Sequence, residues 1–283
     1  MSDPTVHKDG RMDEKVDDFL AAKFAEYRAL LRNTSPCISF MPYGWFRAPQ
    51  TIRLDAEFGL QQMAYRDLAD EAARDLANGI NHLIGVTTRL EAWKKVMVSL
   101  DLHQKNEILH EFVQDLATMA LLSPYTLKAR FYFAVAHLSH QANVVRLRDE
   151  WTDDFSTLPE DWAINEEWAS KLTKSWRGWR ALIRALNKVD DGNFKTRTEE
   201  FRSKHTHRFT PRIELGITQM VKRERIPDQS RPRYGIGGSL PLTLDMLIPA
   251  LNEQCICLGE CYSAFEKLVE EQSRALFSNV HDD

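Results

Sequence analysis

Glycine and proline are scarce, 12 and 11 in a chain of 283 residues, and the scarcity excludes folds that need frequent punctuation. A sandwich or barrel of many short strands turns roughly every 8–12 residues and would require more turn signals than this. Cysteine is scarcer still. Four residues cannot scaffold a chain of this length with disulfides, which sets the expectation of a reducing compartment. No uncharged apolar run reaches the roughly 18 residues of a membrane-spanning helix, and the opening MSDPTVHKDGRMDEK lacks the apolar core of a signal peptide. The reading is of a soluble, cytoplasmic protein with no membrane partner. A large excess of one charge is missing too, since 41 Asp and Glu face 37 Lys and Arg for a net charge of −4. That balance excludes a protein that coats nucleic acid with its whole surface, and leaves a local basic face open.

What the sequence has in quantity is helical periodicity, over a length sufficient for one large domain or two small ones. Residues 1–12 are polar and aperiodic and read as a mobile tail. From Asp13 to about Arg32 the apolar residues recur at helical spacing. The stretch to about Pro49 mixes Pro36, Pro42 and Gly44 with Phe40, Tyr43, Trp45 and Phe46. Within a first segment, 13–54, it predicts an ordered connection held onto the core by its rings.

Residues 55–277 form the main helical domain of this reading. One very long helix, or two broken near Gly79 or Gly85, is predicted over 55–101. A helical hairpin follows over 103–148, with Ser123 as cap and Pro124 at the first position of its second helix. The acidic, Trp-rich stretch around 149–163 marks an insertion. A helix is predicted from Glu166 to about Asn187, helix again on both sides of Pro211 over 195–223, and a loop from Ile226 to Pro241. Leu247, Leu251, Leu258, Phe265 and Val269 lay down the stripe of a closing helix to about Phe277. No strand pattern of comparable strength occurs, so the fold class is all-α, a bundle of long antiparallel helices.

Several residue groups invite a chemical reading and fall to simpler ones. Cys255, Cys257 and Cys261 lie within the closing helix, where positions two apart face different ways, and read as small buried hydrophobes rather than zinc ligands. His103 with His110 and His137 with His140 have helical spacing but match no metal motif. A di-metal carboxylate bundle needs Glu-x-x-His on two helices, and Glu107-x-x-His110 occurs once. Tyr234-Gly-Ile-Gly-Gly-Ser239 lacks the Lys and Ser/Thr of a P-loop and predicts a turn with positive-φ glycines. Trp168, Trp176 and Trp179 share one apolar arc and read as core. These spacings point to no metal and no cofactor.

The informative stretch is Phe201-Arg-Ser-Lys-His-Thr-His-Arg-Phe209. Between Lys195 and Arg233 there are eleven Lys and Arg against five Asp and Glu, a local +6 that leaves −10 for the rest. An Arg beside a His suits phosphodiester chemistry. Guanidinium grips non-bridging oxygens with its fixed fork, and a His near neutral pH passes a proton to or from a ribose 2′-OH or the leaving oxygen. A solvated basic helix end is the plainer alternative.

Arg202-x4-His207, within an all-α chain, resembles the Arg-x(4–6)-His signature of the HEPN superfamily, the higher eukaryote and prokaryote nucleotide-binding domain. Also similar to its longer bacterial members are the late position of the motif, a helix over Thr210–Lys222, a loop ending in Tyr-Gly-x-Gly-Gly at Tyr234–Gly238, and a long final helix. The resemblance implies a metal-independent endoribonuclease of a bacterial toxin–antitoxin, abortive-infection or stress system, acting on RNA as a homodimer, with an antitoxin protein as a possible partner. Carried over, Arg202 stabilises the phosphorane-like transition state and His207 is the general acid/base. Ser203 stands where the family most often has Asn, Asp or His; it and His205 are auxiliary, and Lys204 and Arg208 contact phosphates. The alternative is a non-catalytic helical protein that binds a nucleotide, a nucleic acid or an acidic partner.

Overall fold

The computed structural model describes residues 9–46, 59–225 and 231–277. The fold is all-α, and its long helices are α1 (Asp9–Arg32), α2 (Gly59–Met97), α4 (Gln114–Leu147) and α9 (Leu244–Phe277). Shorter helices are α3 (Leu102–Ile108), α5 (Glu166–Thr173), α6 (Trp179–Leu186), α7 (Gly192–Arg197) and α8 (Phe201–His207). Among the described residues the strands amount to one antiparallel hairpin, β1 (Val221–Glu224) with β2 (Arg233–Ile236). No helix among the described residues is long and apolar enough to cross a membrane.

The chain divides into two compact units. The first is built from the described residues within 1–37, 85–121 and 195–251, the second from those within 38–84, 122–194 and 252–283. In the first, the Trp93 indole lies parallel to Tyr27 at 4.3 Å and to Phe112 at 4.7 Å between ring centroids. Phe24 adds a further ring against Phe112 at 5.7 Å, so α1 is pinned by stacked aromatic faces. In the second unit, the buried Tyr262 hydroxyl accepts a hydrogen bond from Trp45 Nε1 at 2.8 Å and lies 3.0 Å from the Ala73 carbonyl. This is the ring anchorage expected of the 33–46 connection, although Phe40 and Tyr43 stay exposed; Phe46 packs edge-on against Trp45, and Pro49 lies outside the described residues. A chain of buried polar groups also crosses the second core: Tyr65 to Gln272 (3.1 Å), Gln272 to Ser139 (2.9 Å) and Ser139 to Thr173 (3.0 Å). Each group finds a partner, which is the condition for burying it.

Several sequence expectations need correction. Helix α1 begins at Asp9, so the polar residues 9–12 belong to it rather than to a tail; residues 1–8 lie outside the description. Helix α2 runs unbroken through both glycines. A Cβ on Gly79 would lie 2.4 Å from Leu127 Cδ2, so this glycine serves a close approach to α4 rather than a break. Pro124 does not split 103–148 into a hairpin, because α4 continues through it. A proline inside a helix costs about 3 kcal/mol, and the uninterrupted burial of Leu121, Leu127, Phe131 and Val135 along α4 outweighs that. The irregularity falls earlier, as a π-helical turn over Leu109–Val113. Residues 166–187 are two helices, α5 and α6. A Cβ on Gly178 between them would meet Leu268 Cα at 2.9 Å, and the Glu271 carboxylate accepts from the backbone N–H groups of Arg177 (2.9 Å) and Gly178 (2.7 Å).

The largest departure follows α8. The expected helix over 210–222 is extended chain, bridged in parallel from Ile213 to Leu242 and antiparallel from Thr218 to Ser239, and it leads into β1. Glu214, Gly216 and Gln219 all have positive φ, which no helix accommodates. The predicted loop at Tyr234–Ser239 holds β2, and none of its glycines has positive φ. Gly238 is required for space: a Cβ there would lie 2.3 Å from Ile217 Cγ2. The closing stripe is as expected, with Leu247, Leu251, Leu258, Phe265 and Val269 all fully buried in α9.

Candidate functional site

Helix α8 is entered through two consecutive left-handed residues, Glu199 (φ 50°) and Glu200 (φ 53°). A non-glycine residue held there costs about 1–3 kcal/mol. The surroundings that enforce it are a hydrogen bond from Glu200 N–H to the Lys195 carbonyl (2.6 Å) and the burial of Thr198 and Phe201. This entry fixes the direction in which the basic helix projects. The helix closes at its other end where Arg208 N–H donates to the Lys204 carbonyl at 2.8 Å.

Arg202 is half-buried at the start of α8 and His207 is exposed at its end. Five helical steps rotate about 140°, so the two side chains leave the helix on different sides. Ser203 and Lys204 are half-buried, and Lys204 Nζ lies 3.3 Å from Glu199 Oε2, which ties up one candidate phosphate contact. Arg208 is exposed.

His205 is placed differently. Its ring stacks on Phe201 (centroids 5.5 Å apart, planes within 10°), and its Nδ1 lies 3.3 Å from Thr210 Oγ1. The two contacts orient the imidazole, and it lines an open cavity of about 620 Å³ within the first unit. The lining also includes His110 and Asp115, supplied by the π-helical turn and the start of α4. Arg212 and the apolar Leu215 and Ile217 come from the extended chain after α8. Neither Arg202 nor His207 lines this cavity. The residue first ranked as auxiliary is therefore the one that faces a concave site.

His110 and Arg212 were missed as partners of α8 because each lies on a different segment of the chain. The available signal for His110 was a polar residue exposed inside the apolar run from Ile108 to Val113, where Ile108, Leu109 and Val113 are buried. For Arg212 it was membership of the basic stretch. His103, the other half of the pair weighed as metal ligands, sits on the surface with Nδ1 3.8 Å from Glu107 Oε1.

No group of three or more His, Cys, Asp or Glu side chains converges into a metal-ligand set among the described residues. Burial pushes the thiols of Cys261 and Cys257 up from their ordinary range, which keeps them protonated and inert.

A second histidine group lies in the other unit. His140 is 1% exposed, stands edge-on to Trp151 at 5.6 Å and has Nε2 3.0 Å from Asp153 Oδ1, without the alignment of a hydrogen bond. Burial depresses its pKa, the Asp153 carboxylate opposes that shift and neighbouring His137 adds to it. The unfolded chain then binds a proton more readily than the folded one. The stabilising contribution of the neutral ring is present above the unfolded value near 6.5 and is lost as pH falls toward the folded value. The urea midpoint is expected to fall across this window in the parent protein, and His140→Phe is expected to flatten that pH dependence; an unchanged slope would count against it.

No family model matches this chain, and no curated protein or solved structure is similar to it.

Proposed function

We propose that this protein is a metal-independent, cytoplasmic endoribonuclease of a bacterial toxin, abortive-infection or stress system, working as a homodimer and restrained by an antitoxin protein where it acts as a toxin. One observation carries the reading. The short helix α8 gathers Arg202, His205 and His207 within two turns in the most basic stretch of an otherwise acidic chain. The resemblance of Arg202-x4-His207 to the HEPN signature supports it.

In this reading Arg202 neutralises charge building on the non-bridging oxygens. His207 moves a proton at the 2′-OH or at the leaving 5′-oxygen. Because Arg202 and His207 leave α8 on different sides, one copy of the helix does not present both to one phosphate from a single face. A second copy supplies the missing partner, which is the reason for the homodimer.

The test is incubation of single-stranded RNA with the purified protein in excess EDTA, at low and high salt. Cleavage is expected to survive EDTA and RNA binding to weaken steeply with salt as counterions are released. Intact RNA would overturn the ribonuclease, and cleavage abolished by EDTA would overturn its independence of metal.

A second reading, non-catalytic nucleic-acid binding, is favoured by the hairpin. Cross-strand pairing places Arg223 beside Tyr234 and Val221 beside Ile236 on one face, with Tyr234 74% and Ile236 93% exposed. An exposed ring beside a guanidinium is a stacking platform for unpaired bases.

A further inference from the structure

The cavity beside α8 holds chemistry that the Arg202/His207 reading does not use. Its two walls belong to the first unit and come from segments far apart in sequence, each with an irregular backbone at the site. One wall contains the π-helical turn over Leu109–Val113, from which His110 faces the cavity. Such single turns recur at functional sites, because the wide turn re-aims a side chain that a regular helix would direct elsewhere. On the other wall is Gly216 at φ +93°, over which the stem of Arg212 lies: a Cβ at that glycine would be 3.4 Å from Arg212 Cγ.

The lining sorts by chemistry. His110, His205 and Arg212 supply hydrogen-bond donors and positive charge, while Leu109, Leu215 and Ile217 supply an apolar surface. Asn106, Gln114 and Asp115 add amide and carboxylate groups of the kind that read the polar edge of a base. No ion pair engages Arg212 among the described residues, and His205, with Nδ1 directed to Thr210, keeps Nε2 for a ligand. A divalent cation does not fit, since no metal-ligand cluster forms there among the described residues. Inorganic phosphate alone would leave the apolar wall unfilled. The volume of about 620 Å³ lies within the range of small-molecule sites and suits a planar heterocycle joined to a phosphorylated sugar.

We propose that this cavity seats one nucleoside monophosphate unit, its base against Leu215 and Ile217 and its phosphate held by Arg212, His110 and His205. The proposal rests on the reading of the protein as an RNA-processing enzyme. It makes the occupant a ribonucleotide of the substrate strand, next to the phosphate on which α8 acts.

The test follows the ring C–H signals of His110 and His205 by NMR during titration with each of the four 3′-ribonucleoside monophosphates. Inorganic phosphate and the unphosphorylated nucleosides serve as controls, and single His→Gln variants assign the signals. At least one nucleotide is expected to shift both signals saturably, and Arg212→Ala to weaken that binding about tenfold through loss of a charge-assisted contact. The variant's helical dichroism should match the parent's, because Arg212 is exposed. Signals that no nucleotide moves, or that inorganic phosphate moves equally at the same concentration, would overturn the seat. RNA cleaved in EDTA without nucleotide binding would remove the seat and keep the ribonuclease. Nucleotide binding without cleavage would keep the seat and remove the ribonuclease.

Discussion

Replacing Arg202 or His207 by alanine is expected to lower RNA cleavage in EDTA by about 10²–10⁴-fold, the usual cost of losing a general acid/base or a fixed transition-state charge. His207 is exposed at the end of α8, so its truncation leaves the core untouched and the loss reads chemistry rather than folding. Arg202 is half-buried, and Arg202→Lys separates its two possible roles. A lysine keeps the charge but not the two-pronged grip on phosphate oxygens, so partial recovery is expected only if charge dominates. His205→Ala serves as the internal comparison. Its ring lines the cavity and is oriented by Phe201 and Thr210, so it is expected to raise KM more than it lowers kcat. A His207→Ala protein that cuts RNA at the parent rate would remove His207 from the mechanism.

The largest expected effect on stability is in the first unit, at Trp93. The indole is 1% exposed and lies between Tyr27 and Phe112, with planes within 4° and 11° of parallel. Truncation to alanine empties the space between two rings and forfeits both stacks, at a cost of about 3–5 kcal/mol. That is a large share of the roughly 5–15 kcal/mol that holds a typical domain folded. Trp93→Phe, which keeps a ring in the gap, is expected to recover more than half. Urea unfolding followed by far-ultraviolet dichroism measures both, and a Trp93→Ala protein within about 0.5 kcal/mol of the parent, the range of a neutral surface change, would mean that the stack contributes little.

The long amphipathic elements were legible because their signal is repeated. The α9 stripe runs over many turns, and its five named positions are all buried. Single punctuation marks were less reliable. Pro124 lies within α4 and Gly79 within α2, because burial along a long helix outweighs the local penalty of one residue, while Gly178 does mark the break between α5 and α6. The chain from Thr210 to Lys222 was misread as helix since extended chain held by isolated bridges carries no sustained alternation to register. There the positive-φ residues and two isolated bridges, not periodicity, set the backbone. The basic character of the candidate site was legible from charge counting. The cavity was not, because His110 reaches it from the π-helical turn, and the phase shift of such a turn depends on how its neighbours pack rather than on any residue type.

The chemistry of the cut ends tests the central claim most directly. If Arg and His act on the ribose 2′-OH without metal, the nucleophile is internal: the 2′-oxygen bonds to phosphorus and the 5′-oxygen leaves with a proton. The products in EDTA then carry a 2′,3′-cyclic phosphate on one fragment and a 5′-hydroxyl on the other, and an otherwise identical DNA strand stays intact. Fragments bearing a 3′-hydroxyl and a 5′-phosphate, the outcome of attack by water, would contradict the account, as would equal cleavage of the DNA.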